Sequence, residues 1–299
     1  MRIVTIEHPA EVHVHEGQLV VEQEAGTACV PVGQVEILIA CGPSIRISTM
    51  AQTMLAEAGV VTLLMGKNHL PKAIVIPMVA NARMARVTAA QAALPAEVAD
   101  RLWATIIQRK IENQARAIEQ LGLGDAHQLW EFSQHVLSGD ALNVEGQAAA
   151  WYFQMLHPGL NRRCDDPFNS VLNYGYAIVR AALARALVTS GFVPALGIHH
   201  HSQLNAFNLT DDLIEPFRPC VDLIAPSIVS SNAKLDAKQR HALRDVLYLR
   251  VLMGSRKVTV EVAIEEVADS LVRAARDCDP DELQLPILIA ADYDRTLRD

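Results

Sequence analysis

The feature that most constrains this chain is a change of hydrophobic period at Pro77. Up to that residue, apolar side chains come in short runs, Arg2 to Glu7, Val12 to His15, Leu19 to Glu22 and Val35 to Ala40, punctuated by Gly17, Gly26 and Gly33. Runs of that length bounded by glycine predict β-strands joined by tight turns. Ser48 and Thr49 are capping candidates for one helix, Met50 to Ala58, which Gly59 ends, and Val60 to Met65 and Ala73 to Ile76 read as further strands. Beyond Pro77 the period lengthens. Val79 to Ala93, Ala96 to Leu121, Ala126 to Leu137, Val144 to Met155 and Pro167 to Thr189 carry Ala and Leu at helical spacing, and strand signals nearly vanish. The expected class is therefore α+β, with a small β-rich domain over 1–77 followed by a larger all-helical domain over 78–299.

A chain of 299 residues, half apolar and one-fifth charged, has the balance of a folded protein with a substantial core. The N-terminus meets charges and Pro9 before any secretory core could form, and no apolar run is expected to reach the roughly 20 residues of a spanning helix. A cytoplasmic protein without a membrane partner is expected. Cys29, Cys41, Cys164, Cys220 and Cys278 are scattered and odd in number, which suits reduced packing thiols better than a zinc knuckle. The net charge of −8 argues superficially against a nucleic-acid partner. Its distribution weakens that objection, because residues 260–294 hold ten acidic and two basic side chains whereas 234–257 hold seven basic and two acidic ones. Lys234 with Lys238 and Arg240 with Arg244 recur at helical spacing, so a solvated face or a phosphate-tracking strip could lie there.

Three segments carry the residue types of a metal site. Glu145 stands in the first turn of a helix that Asp140 or Asn143 can cap, with only Ala148 and Ala149 as its i+3 and i+4 neighbours, which leaves room beside the carboxylate. Taken alone it could be an acid answering the helix dipole. His199, His200 and His201 follow a helix that Gly191 terminates, and adjacent side chains cannot all point one way. Asp211, Glu215, Arg218 and Asp222 fall on one helical stripe, with Asp212 beside Glu215 at i,i+3, and such crowding of acids is costly without a cation. Pro219 is expected to kink that helix. Two or more carboxylates with one imidazole form a mixed donor set suited to Mn²⁺ and acceptable to Mg²⁺. No P-loop, dinucleotide fingerprint, nucleophile elbow or HExxH is present, which removes support for nucleotide-driven and serine-nucleophile chemistry.

With those segments in hand, Glu145-Gly146-Gln147-Ala148-Ala149 with Tyr152, Pro167 to Tyr176, Leu196-Gly197-Ile198-His199-His200, and Asp212 to Pro219 with Asp222 resemble the CRISPR adaptation integrase, the metal-dependent endonuclease of the spacer-acquisition complex. The motifs occur in the family's order, and the β-then-α division extends the likeness along the chain. The resemblance implies that Glu145, His200 and Glu215 are the catalytic metal ligands for Mg²⁺ or Mn²⁺, with Asp212 either touching the metal or acting from behind a ligand. Glu215 in place of the Asp found in many relatives resembles the type II lineage. Also implied are a homodimer formed by the β-domain, double-stranded DNA as spacer precursor and CRISPR repeat, and a small ferredoxin-like companion completing a heterohexamer. The implied reaction is transesterification by a 3'-hydroxyl. A metal-dependent phosphohydrolase of small substrates and a non-catalytic DNA-binding scaffold are the competing functions for the same residues.

Overall fold

A computed structural model describes residues 2–42, 44–66, 71–77, 84–162, 164–230 and 235–293. The chain divides into two compact units, Met1–Ala82 and Arg83–Arg298.

In the first unit β1 (Arg2–Ile6) leads into β2 (Ala10–His15), β3 (Gln18–Gln23) and β4 (Gly26–Pro31), then β5 (Val35–Ala40), β6 (Ile45–Ile47), α1 (Thr49–Glu57), β7 (Val61–Met65) and β8 (Pro71–Val75). Two four-stranded sheets result, ordered β1-β5-β7-β8 and β4-β3-β2-β6. Glu16 and Gly17 turn β2 into β3 with φ of 48° and 76°, the left-handed pair a two-residue hairpin needs, and His15 faces Gln18 across the turn. Strand β5 runs parallel to both β1 and β7, and every one of its residues is buried, as an apolar run between parallel neighbours should be. The Ser48 hydroxyl caps α1 by accepting from Ala51 N–H at 3.2 Å, and Ala51 and Leu55 press one face of that helix onto Ile6, Val12, Leu19, Val21 and Leu38. Strands β4 and β6 were not expected. Most of β4 is exposed and β6 has three residues, so neither carries a clear apolar period.

The second unit begins with α2 (Met84–Ala92), α3 (Ala96–Leu121), α4 (His127–Gln134), α5 (Val144–Leu156) and α6 (Pro167–Thr189). Their starts and stops follow local chemistry. Gly122 closes α3 in the left-handed region at φ 65°, and Asp166 caps α6 ahead of Pro167 by accepting from Phe168 N–H. Helix α6 is long and apolar enough to cross a membrane by length and composition, contrary to the expectation that no run would be. Seventy-two per cent of its apolar window is buried inside the protein, so it serves as a core helix.

The acidic segment is not one kinked helix. A short α7 (Asn208–Leu213) passes through a 3-10 turn over Glu215–Phe217 into α8 (Arg218–Ile228), with Pro216 and Pro219 each within a first turn, where their missing N–H costs nothing. After α9 (Ala237–Arg244), the strands β9 (Leu249–Met253) and β10 (Arg256–Thr259), helix α10 (Val260–Asp277) and β11 (Ile287–Tyr293) complete the described residues. The expectation of an all-helical domain is thereby amended to a mostly helical one, since β10-β9-β11 form an antiparallel sheet. Of the basic residues over 234–257, Lys238, Arg240 and Arg244 lie on the two-turn helix α9, and Arg250, Arg256 and Lys257 lie on β9 and β10. Residues 78–83, which held the first turns expected of the Val79 to Ala93 helix, and Lys234 lie outside the described residues.

Candidate functional site

Glu145 owes its position to a double cap. Asp140 and Asn143 both adopt left-handed backbone, at φ 51° and 50°. The Asp140 carboxylate accepts from Val144 N–H at 2.8 Å and Glu145 N–H at 3.0 Å, while Asn143 Oδ1 accepts from Gly146 N–H at 3.3 Å. Both residues suggested as caps are therefore used, and the first turn of α5 is fixed from its orphan donors outward. Ala148 beyond it is fully buried, and Ala149 lines a cavity of about 380 Å³ together with Phe153, Gln154 and Arg162.

The carboxylate of Glu145 meets a residue that the sequence did not single out. Lys110, on the buried face of α3, places Nζ 2.5 Å from Glu145 Oε1 and 2.5 Å from Glu215 Oε2. Burial alone would lower the pKa of this amine, but the Glu215 and Glu145 charges outweigh it and hold the ammonium protonated. Glu215 is the mirror image. Burial would raise its pKa, yet Arg218 and Lys110 pull it down to about 2, and Arg218 Nε donates to Oε1 at 2.8 Å. Glu215 Oε2 is buried and has the Lys110 ammonium as its partner at 2.5 Å. One signal could have found Lys110. It falls among Trp103, Ile106, Ile107, Gln114 and Ala117 on the apolar stripe of an amphipathic helix, where a lysine needs a reason to be.

The histidine loop is organised by Asp212, whose side chain is not exposed at all. Its Oδ2 accepts from Ile198 N–H at 2.6 Å and His199 N–H at 3.1 Å; its Oδ1 accepts from His200 N–H at 3.1 Å and lies 2.6 Å from His200 Nδ1. Four donors thus account for both oxygens of Asp212, and they leave His200 Nε2 as the nitrogen able to take a ligand. The Asp212 hydrogen bond raises the His200 pKa, against burial, with the charges of Asp212 and Glu215 adding to it. The His199 ring stacks on Trp103, 4.2 Å between ring centres and 2° from parallel, and the His200 ring meets the same indole edge-on at 5.6 Å. Gly197 makes the loop possible, because a Cβ there would collide with the His200 carbonyl and stand 2.9 Å from Asp212 Oδ2.

The remaining acids of the stripe each find a separate answer. Arg180 grips Asp211 through Nε at 2.5 Å and Nη2 at 2.8 Å. Asp222 is buried and accepts from the hydroxyls of Tyr152, at 3.0 Å, and Tyr176. Burial lifts its pKa to about 6, with those two hydroxyls and Arg218 holding the rise in check. Arg218 lies 4.7 Å over the Tyr176 ring, so one guanidinium links this network to Glu215. The basic residues of 234–257 are spent differently. Arg240 is buried and donates to the Leu235 carbonyl, Arg256 pairs with Glu266 at 2.9 Å, and Lys238 and Lys257 are exposed.

Of the three ligands implied by the resemblance, Glu145 and Glu215 converge on one ammonium, and His200 lies close enough to Glu215 to feel its charge. With Lys110 between the carboxylates, no three His, Cys, Asp or Glu side chains among the described residues are drawn together tightly enough to hold one ion as they stand. The donor chemistry fits a hard divalent cation nonetheless. Glu145 is partly open, Glu215 is held ionised, and the oriented imidazole has one nitrogen to offer.

The family described as CRISPR associated protein Cas1 matches residues 3–250. The chain is 30% identical over 293 residues to the CRISPR-associated endonuclease Cas1 of Neisseria meningitidis serogroup C (strain 8013), covering 96% of this chain and 96% of that relative. Among solved structures, a casposase bound to integration product superimposes with a TM-score of 0.78 at 18% identity, over 93% of this chain and 91% of that one. A chain of a Cas6-RT-Cas1--Cas2 complex matches with a TM-score of 0.75 at 17% identity, covering 95% of this chain and 36% of the longer one. At such identities the structural likenesses speak for the fold alone.

Proposed function

The chain belongs to the Cas1 family of CRISPR-associated proteins, and from that membership we propose that it is a divalent-metal-dependent DNA integrase and endonuclease of CRISPR adaptation. Its reaction joins the 3'-hydroxyl ends of short duplexes to the edge of a CRISPR repeat by transesterification, which needs no nucleotide cofactor because one phosphodiester replaces another. The observation that carries this reading is the pairing of Glu145 and Glu215 on one buried cationic position beside a histidine whose ring is locked by Asp212.

Glu145, His200 and Glu215 are the residues we assign to hold Mg²⁺ or Mn²⁺. When bound, the ion supplies stabilisation of the negative charge that develops on the phosphoryl oxygens and on the incoming hydroxyl. The protein's own groups prepare for that. Asp212 fixes the tautomer and direction of His200, Arg218 keeps Glu215 ionised by pairing with Oε1, and the Asp140 and Asn143 caps aim Glu145. Exposed Lys and Arg side chains position duplex DNA without reading its sequence. We assign homodimerisation to the strand-rich unit. The companion is a small ferredoxin-like adaptation protein, a proposal supported by the Cas1--Cas2 pairing named for the complex that shares this fold.

The test incubates the full chain, its companion and Mn²⁺ with labelled duplexes and a supercoiled plasmid bearing the repeat. Duplexes ending in 3'-hydroxyl should become joined and those ending in 3'-phosphate should not, and Glu145→Ala should abolish joining while leaving duplex binding largely intact. Equal labelling from both ends overturns the proposed nucleophile, and full joining by Glu145→Ala overturns the site.

A further inference from the structure

Lys110 stands where a cation shared by Glu145 and Glu215 would stand. We propose that it is a tethered counter-ion competing with the divalent metal for these two carboxylates, so that loading the metal requires the ammonium to withdraw and the apparent metal affinity is set by that exchange. The inference rests on the metal reading of the site given above and gives Lys110 a role which that reading does not assign.

The geometry makes the two occupants mutually exclusive. The ammonium nitrogen is 2.5 Å from one oxygen of each carboxylate, so a divalent ion held by Glu145 and Glu215 would need the space that the ammonium fills. Two cations cannot share that volume, on grounds of overlap and of repulsion across a poorly screened interior. The second cation at the site, Arg218, is not the one that yields. It holds the opposite oxygen of Glu215 at 2.8 Å and is pinned over the Tyr176 ring, so it can stay while Glu215 Oε2 changes partner. Lys110 is better suited to move, because an ammonium on a four-carbon stem is a point charge with no fork to realign. Its way out is set by exposure. The Glu215 side chain is 7% exposed and the Glu145 side chain 30%, so the ammonium leaves on the Glu145 side, toward solvent.

The experiment measures Mn²⁺ binding to the full chain by calorimetry, with thermal melts in chelator and in Mn²⁺, for wild type, Lys110→Met and Lys110→Gln. Removing the competitor should tighten Mn²⁺ binding at least about tenfold in both variants, lower the melting temperature in chelator, and let Mn²⁺ restore most of that loss. A wild-type readout covers the case in which the variants do not fold in chelator. Reductive methylation followed by peptide mass spectrometry should modify Lys110 several-fold faster in Mg²⁺ than in chelator. If wild type binds Mn²⁺ but the variants bind no more tightly, or if Lys110 labelling is unchanged by Mg²⁺, the displacement is overturned. Failure of the wild type to bind Mn²⁺ or Mg²⁺ at all overturns the metal reading itself.

Discussion

The two units of this protein bury different chemistry. The core of the strand-rich unit is hydrocarbon, built from Ile6, Val12, Leu19, Leu38 and Leu55, with Glu36 and Thr62 as its buried polar side chains among the described residues. The mostly helical unit buries Lys110, Asp212, Glu215, Asp222 and Arg240 within an equally apolar surround. A buried ion pair is commonly no more stabilising than well-packed apolar residues of the same volume, and an unpaired buried charge costs several kcal/mol. Stability alone therefore gives no reason for the second arrangement. The contrast teaches that the helical unit retains charges for what they can do, and that each charge is tolerated because another residue answers it. Where the strand unit does use an ion pair, Arg46 to Glu11, both side chains are more than half exposed.

Breaking that contrast at its centre should have the largest effect. Asp212→Asn leaves at least one of four donors facing an amide instead of a carboxylate oxygen, so the loop carrying His200 loses its anchor. A fall of about 10- to 100-fold in Mn²⁺ affinity is expected, together with about 1–3 kcal/mol of stability for the donors left unmet. Calorimetry and denaturant melts check both, and an unaltered Mn²⁺ affinity would show that His200 is held by something else.

A second effect, of middle size, sharpens the comparison through pH. Glu215 has a folded pKa of about 2, below the usual carboxylate range near 4.3. Its stabilisation is therefore complete above that range and disappears as pH falls toward about 2. Asp222 is shifted the other way, to about 6, from a usual value near 3.9. Its contribution is greatest below that usual value and is lost as pH rises through about 6. Trp103, Trp130 and Trp151 are the only tryptophans and all belong to the helical unit, so their emission follows that unit alone. Denaturant melts read by this emission should show that Asp222→Asn flattens the change between about pH 4 and 6, and that Glu215→Gln flattens the acid limb below it. An Asp222→Asn profile parallel to wild type would sink the first assignment.

The smallest effect belongs to the strand unit. Arg46→Ala removes an exposed pair and should change stability by less than about 1 kcal/mol, with strand transfer and Mn²⁺ affinity untouched. A larger loss would mean that this unit, too, depends on charge.

Much of the fold was legible because its signals are local. The bounds expected for α3 and α6 coincide with those observed, since Pro95, Gly122, Asp166 and Pro167 mark helix ends by chemistry confined to a few residues. Elements with little period of their own were not legible. Strand β4 is mostly exposed, β6 is three residues long, and β9 to β11 are short strands that follow a long helical stretch.

The site divides along the same line. Glu145, the histidine run and the Asp211 to Asp222 acids declare themselves by residue type and by position at helix starts and loops, and the family likeness follows from those same letters. What the linear chain could not declare is which charge meets which. Lys110 lies 35 residues from Glu145 and on a different helix from Glu215. Asp212 is spent on the His200 loop and Asp222 on two tyrosines. Periodicity and capping act over a few residues, so they are written in the sequence, whereas the pairing of buried charges depends on which helices pack together, and only the tertiary structure decides that.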